Sequence, residues 1–191
     1  MKKAFNMIFI LTAVTIVCSA LLATVNRLTS EPIRKAHEAE KINAIKKVLP
    51  EYDNNPLKCT CVVKEAKKEW VFYVARKEGK YVGAAYEAAS PLGYSGTIRI
   101  LVGVATNNKL CGLEILQQAE TPGLGAKITR KEFKNQFKGK DINKTKWKVK
   151  KDGGDINAIT GATISPRAVL DALKAGMKVY LKYQNKIKAT E

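Results

Sequence analysis

Three polar, glycine-containing segments carry residue types that could hold a ligand: Gly93-Tyr94-Ser95-Gly96-Thr97, Glu120-Thr121-Pro122-Gly123-Leu124-Gly125 and Thr160-Gly161-Ala162-Thr163-Ile164-Ser165. The last is the most specific. Its small residues let a ligand approach the backbone, and Thr163 supplies a hydroxyl two residues ahead of Ser165-Pro166, the expected cap of a final helix. Free N–H groups and the dipole at a helix start favour a phosphate. A phosphorylated ligand, or one joined to Thr163 through its phosphate, would be stabilised there, with Lys148, Lys150 and Lys151 adding positive charge from upstream. On the residues alone, a capped turn holding no ligand remains the alternative.

Other chemistries find little to work with. His37 is the single histidine and falls on an expected amphipathic helix, where it reads as a surface residue, so no Ser–His–Asp set can be assembled. Neither a P-loop nor a dinucleotide fingerprint occurs. Cys59-Thr60-Cys61 lacks the spacing of zinc or thioredoxin motifs, and a bridge from this pair to Cys111 stays open. The formal charge of +17 raises the question of nucleic acid. The lysines, however, are scattered without an aromatic-interleaved stripe, and a basic domain lying against anionic headgroups accounts for the charge without nucleic acid.

The elements that must position these segments can be read in order. The run from Ala4 to Asn26 is uncharged and long enough, at roughly 30 Å as a helix, to cross the hydrocarbon layer of a bilayer. It is longer than a signal-peptide core, and Cys18-Ser19-Ala20 matches a cleavage site poorly, so an uncleaved anchor is expected. Lys2 and Lys3 favour a cytoplasmic N-terminus. Ser30-Glu31-Pro32 looks like a new helix start, leading an amphipathic helix (Ile33, Ala36, Ile42, Ile45, Leu49) that stops at Pro50. The expected division is therefore 1–29 for tip and span, 30–50 for the juxtamembrane helix, and 51–191 for one extracytoplasmic domain.

Within that domain, 70–76 and 81–89 flank Glu78-Gly79-Lys80 as one hairpin, and 97–106 and 110–118 flank Asn107-Asn108-Lys109 as another. Thr129 and Glu132 have capping-box spacing ahead of Phe133 and Phe137. The run 147–151 reads as a strand and Asp152-Gly153-Gly154 as a turn. Val169, Leu170, Leu173, Met177, Tyr180 and Leu181 form the core stripe of the last helix. The expected fold class is α+β: a single transmembrane helix, then one domain of mixed antiparallel sheet and helices.

The string TGATIS, with ETPGLG and GYSGTIRILVG before it, resembles the FMN-binding domain of the Rnf complex G subunit. The likeness covers the anchor, the EPI…VLP helix, the three loops in order and the closing helix. In that family, and in the related C subunit of the Na+-translocating NADH:quinone oxidoreductase, FMN is joined to a threonine through its phosphate, and the matching residue is Thr163. The resemblance implies a cofactor site of Thr163 with Thr160, Gly161 and Ala162 at the phosphate. Glu120, Thr121, Leu124 and Gly125 would line the flavin, with Tyr94, Ser95 and Gly96 nearby. No catalytic acid, base or metal is expected.

The resemblance also implies an electron-transfer subunit of a membrane-bound ferredoxin:NAD+ oxidoreductase that moves Na+ or H+ across the bacterial cytoplasmic membrane. Its partners would be the other members of the complex and, for maturation, a flavin transferase. Alternatives are a component like the C subunit of the quinone-reducing enzyme and a free-standing membrane-anchored extracellular flavoprotein. Two positions depart from the family pattern: Asn157 stands where an aspartate is common, and Gln118 where a histidine often precedes the glutamate.

Overall fold

The first helix, α1 (Lys2–Val48), runs without a break through Ser30-Glu31-Pro32 in the computed structural model. The structure describes residues 2–65 and 68–190; Met1, Ala66, Lys67 and Glu191 lie outside the described residues, as do the side chains of Lys2 and Lys3 on which the orientation expectation rests. The expected helix start at Ser30 is thus corrected. The Ser30 hydroxyl donates back to the Arg27 carbonyl (3.2 Å) instead of capping a new helix, and Pro32 sits inside α1. Proline there leaves the Leu28 carbonyl without its usual donor.

Between residues 6 and 28 the large apolar side chains are exposed, Phe9 by 69% and Leu22 by 71%, and this stretch is long and apolar enough to cross a membrane. Its threonine hydroxyls are satisfied internally: Thr12, Thr15 and Thr24 donate to the carbonyls of Ile8, Leu11 and Ala20 at 2.8–3.0 Å. That suits a segment that has no water to pair with.

The chain divides into two compact units, residues 1–41 and 42–191. His37, in the first unit, is exposed beside Glu40.

In the second unit five strands form one antiparallel meander in sequence order: β1 (Thr60–Glu65), β2 (Lys68–Lys77), β3 (Lys80–Ser90), β4 (Ile98–Ala105) and β5 (Leu110–Gln117). The β2–β3 turn places Glu78 (φ 52°) and Gly79 (φ 74°) both at positive φ, the backbone that matches strand twist in a two-residue hairpin. In the β4–β5 loop Asn108 takes the left-handed conformation (φ 58°) that asparagine tolerates.

Both faces of the sheet are covered, which is why β4 reads as an almost unbroken apolar run. On one face Phe72, Tyr86, Ile98, Ile100, Val102 and Val104 pack under the closing helix α3 (Ile164–Ala189) through Val169, Leu173 and Tyr180. On the other, Ile45, Val48 and Leu49 cover Tyr73, Ala75, Ala85 and Leu101.

One strand is added and two further expectations change. Residues 60–65 form strand β1, paired to β2 from Thr60↔Tyr73 to Glu65↔Lys68; Cys61 and Val63 face the core while Val62 is 46% exposed. Residues 147–151 are not a strand. Trp147 and Val149 are buried, yet among the described residues their ladder pairing is a single bridge from Val149 to Ile156. The chain doubles back at Gly153 (φ 77°), with Lys150 N–H on the Ile156 carbonyl at 2.7 Å, leaving no room for a paired strand. The capping box does not form either. The short helix α2 (Lys131–Asn135) begins after Arg130, and the Thr129 hydroxyl donates to the Ala126 carbonyl, closing the preceding 3-10 turn.

All four cysteines are free thiols, and no group of three metal-ligating side chains occurs among the described residues. Burial pushes the Cys111 thiol up to about 11, so near neutral pH it is neither a nucleophile nor a good ligand.

The end of α3 is held by a side chain from the sheet. The Arg76 guanidinium donates to the carbonyls of Lys188 (3.0 Å), Thr190 (2.6 and 3.1 Å) and Gly79 (2.7 Å). These include carbonyls that a helix leaves orphaned at its C-terminus. Arg76→Ala is expected to lower unfolding stability by about 2 kcal/mol, the scale of charge-assisted bonds left unmade. A urea titration would record it, and amide exchange would show the loss concentrated at 184–190.

Candidate functional site

The three glycine-containing segments, distant in sequence, meet at the start of α3. They enclose a cleft of about 390 Å³ lined by Tyr94, Glu120, Thr121, Leu124, Gly125, Gly161, Ala162, Thr163, Ile164 and Ser165. That is a volume typical of small-molecule sites. Eight of the eleven residues expected at the cofactor site are in this wall; Thr160, Ser95 and Gly96 are not. Thr160 is exposed in the turn that Gly161 makes at φ 78°, closed by the Ala162 N–H on the Ile159 carbonyl (3.0 Å). Ser95 contributes its backbone instead. Its N–H donates to Glu120 Oε1 at 3.0 Å.

Thr163, expected two residues before the helix cap, is itself the N-cap residue of α3, in helical conformation (φ −77°, ψ −25°) and with no side-chain capping bond. Its hydroxyl is therefore not spent on the helix. Ser165, the expected cap, lies within the first turn, is 1% exposed, and donates its hydroxyl to Glu120 Oε2. The first-turn N–H groups of a 26-residue helix thus open at a cleft wall that also carries a free hydroxyl.

Opposite this polar end the wall is apolar. Tyr94, Leu124 and Ile164 are 72%, 44% and 45% exposed, among the few large apolar side chains left uncovered in the second unit. An aromatic ring system carrying a phosphate would bury that surface and place its anion at the helix end.

Backbone crowding holds the loops together. A Cβ on Gly125 would collide with Ser165 Oγ and with Glu120 Oε2 (2.7 Å), and one on Gly93 would collide with the Gly96 carbonyl and Glu120 Oε1 (2.9 Å). The Glu120 N–H is tied to Gln118 Oε1 at 2.6 Å, so Gln118 sets the approach of the ETPGLG loop without entering the cleft wall. Asn157 lies outside the wall as well. Its backbone exchanges two bonds with the Gln136 amide (2.8 and 3.4 Å), and it lines a neighbouring cleft with Lys127, Arg130 and Phe133.

Lys148, Lys150 and Lys151 do not line the cleft, contrary to their expected role. The nearby cation with a defined partner is Arg167. Its guanidinium grips Asp152 at 2.7 and 2.8 Å and holds that carboxyl below its ordinary range.

Known proteins share sequence and fold with this chain. The family model for the FMN-binding domain matches residues 93–178, which contain all three loops. The chain is 36% identical over 178 residues to the G subunit of the ion-translocating oxidoreductase complex of Shewanella baltica, covering 87% of this chain and 84% of that protein. It is 40% identical over 167 residues to the corresponding G subunit of Salmonella typhi, covering 82% and 81%. Among solved structures, the C subunit of the Na(+)-translocating NADH-quinone reductase from Parabacteroides distasonis superposes with a TM-score of 0.55 at 24% identity, over 76% of this chain and 82% of that one. The NqrC of Shewanella oneidensis gives a TM-score of 0.53 at 21% identity over 69% and 70%. These two share the fold.

Proposed function

Since the chain belongs to the family of G subunits of ion-translocating oxidoreductase complexes, with an FMN-binding domain over residues 93–178, we propose that FMN is held covalently in the cleft at the start of α3, as a phosphoester of Thr163. The observation that carries this reading is the Thr163 hydroxyl itself. It lines the cleft at the N-terminus of a long helix and makes no capping bond. The other hydroxyls of the TGATIS segment are less suited: Thr160 is outside the wall, and Ser165 is buried and committed to Glu120.

When bound, the isoalloxazine ring supplies the electron-transfer chemistry. The chain's residues bind and orient. The first-turn N–H groups of α3 receive the phosphate, and Gly161 and Ala162 let it approach the backbone. Leu124, Ile164 and Tyr94 cover the ring with apolar surface, Thr121 offers a hydroxyl at the rim, and Glu120 and Gly125 hold the loop that carries Leu124. Electron transfer requires no general acid or base, and the cleft contains no histidine.

The chain is a redox subunit of an ion-translocating oxidoreductase complex, anchored by its N-terminal helix. In our reading it relays electrons within a ferredoxin:NAD+ oxidoreductase that moves Na+ or H+. The domain stands outside the cytoplasmic membrane, Thr163 is loaded by a flavin transferase, and the neighbouring members of the complex are its partners. A covalent tether has a clear purpose there, because it prevents loss of the cofactor where no pool replaces it.

Intact-mass and peptide mass spectrometry of the native chain is the direct test. The expected result is one FMN added through its phosphate, carried by the peptide that contains Thr163, on a chain that retains residues 1–29. A mass equal to the unmodified polypeptide overturns the covalent assignment.

A further inference from the structure

Glu120 is the one carboxylate buried in the wall of this cleft, at 4% exposure, and neither of its oxygens is free. Oε1 accepts the Ser95 N–H (3.0 Å), 25 residues away in sequence, and Oε2 accepts the Ser165 hydroxyl, 45 residues away. Gly93 and Gly125 pack against the same two oxygens so closely that a Cβ at either would collide with them, at 2.9 and 2.7 Å. It is therefore built in as a fixed brace that ties the 93–97 loop and the first turn of α3 to its own loop. Among the described residues it forms no ion pair, and its two oxygens are met by the Ser95 N–H and the Ser165 hydroxyl.

Resting on the reading that FMN occupies this cleft, we propose that Glu120 is a positioning and potential-setting residue. It fixes the loops that meet at the flavin and, by its buried charge, lowers the flavin's reduction potential. Reduction adds negative charge to the ring, and a neighbouring carboxylate in a poorly solvated wall opposes that charge. Ser165 moderates the effect, because its hydroxyl partly neutralises the carboxylate.

This assignment makes two substitutions move the potential in opposite directions. Glu120→Gln keeps an acceptor for the Ser95 N–H and a polar partner for Ser165 while removing the charge. The reduction equilibrium should shift about tenfold toward the reduced flavin, a rise of about 30 mV for a two-electron couple. Ser165→Ala keeps the charge and removes its donor, so the equilibrium should shift about threefold the other way, a fall of about 15 mV. A merely structural brace, loosened by either change, would not give opposite signs.

The experiment is a spectroelectrochemical titration of the full chain, produced with a flavin transferase and purified in detergent, as wild type and as each variant. Covalent flavin is checked on a denaturing gel beforehand. A rise for E120Q with a fall for S165A supports the proposal. Unchanged potentials, or shifts of the same sign, overturn it while leaving the flavin site intact. A wild-type chain without flavin overturns the underlying reading and the proposal with it. Should E120Q fail to accumulate with flavin, S165A is read with Ser165→Thr, which restores the hydroxyl donor: a fall in S165A that S165T reverses supports the proposal, and no change, a rise, or a fall that S165T does not reverse overturns it.

Discussion

Thr163→Val is expected to remove covalent flavin completely while leaving the domain folded. Valine keeps the branched shape of threonine and lacks only the hydroxyl, so nothing remains from which a phosphoester could form. An N-cap threonine often contributes about 1 kcal/mol through its side-chain bond to the helix. Here that bond is absent, so the expected change in stability is within about 0.5 kcal/mol. The readouts are the fluorescent band on a denaturing gel, the intact mass, and a urea midpoint for the protein without flavin. Loss of band and added mass at an unchanged midpoint is the outcome that fits. A band that persists in T163V would place the linkage on another hydroxyl. Thr121, exposed and in the cleft wall, would then be the next residue to replace. Simultaneous loss of flavin and of stability would mean that the Thr163 side chain supports the helix start in a way its hydrogen bonds do not record.

The parts of this fold that can be read ahead of the structure are those specified by local residues. Glu78-Gly79 and Asn107-Asn108 are turn formers flanked by β-branched and aromatic runs, and both hairpins form where those residues stand. The closing helix is an amphipathic stripe of ordinary period, and Val169, Leu170, Leu173 and Tyr180 are all buried. The three cleft loops are legible because small and polar residues stand where no core pattern accounts for them. What stays hidden depends on contacts between distant segments. Strand β1 is an edge strand of six residues whose burial alternates while its sequence does not, because the exposed Val62 is as apolar as its buried neighbours, and it exists through its pairing with β2. Residues 147–151 alternate like a strand, but only tertiary folding shows that no neighbour is available for them. The helix starts expected at Ser30 and Thr129 rest on capping residues whose hydroxyls bond backward to the preceding turn. Within the site the hidden element is Glu120. Its place in ETPGLG marks it as polar and near the ligand, whereas its bonds to Ser95 and Ser165 follow only from how three loops pack.

The second large effect is expected far from the cleft, at a row of glycines crossing three strands. Gly83 on β3, Gly103 on β4 and Gly112 on β5 form a flat floor on the sheet face away from α3, and residues 47–50 lie directly on it. A Cβ at Gly103 would fall on the Val48 carbonyl, one at Gly112 would meet the Lys47 carbonyl and Val48 Cα at 3.1 Å, and one at Gly83 would collide with the Val104 carbonyl at 2.6 Å and touch Leu49 and Pro50 at 3.4–3.5 Å. At Gly103 the obstacle is backbone, which cannot rotate aside as the end of a long side chain can. Gly103→Val must therefore lift residues 47–49 from the sheet, and with them Ile45, Val48 and Leu49, which are at most 8% exposed. Overpacking alone costs about 1–3 kcal/mol, and uncovering even one of those side chains adds about 1.5–3 kcal/mol. The expected loss is at least about 3 kcal/mol, a large part of the 5–15 kcal/mol typical of a domain. Trp70 and Trp147, 6% and 8% exposed, give a fluorescence signal for the urea transition of the second unit. Glycine at 103 is needed for clearance rather than for an unusual backbone angle, since its φ is not positive. Gly103→Ala should accordingly be damaging too, by less than the valine, and a G103V protein as stable as wild type would mean that residues 47–49 do not rest on this face of the sheet.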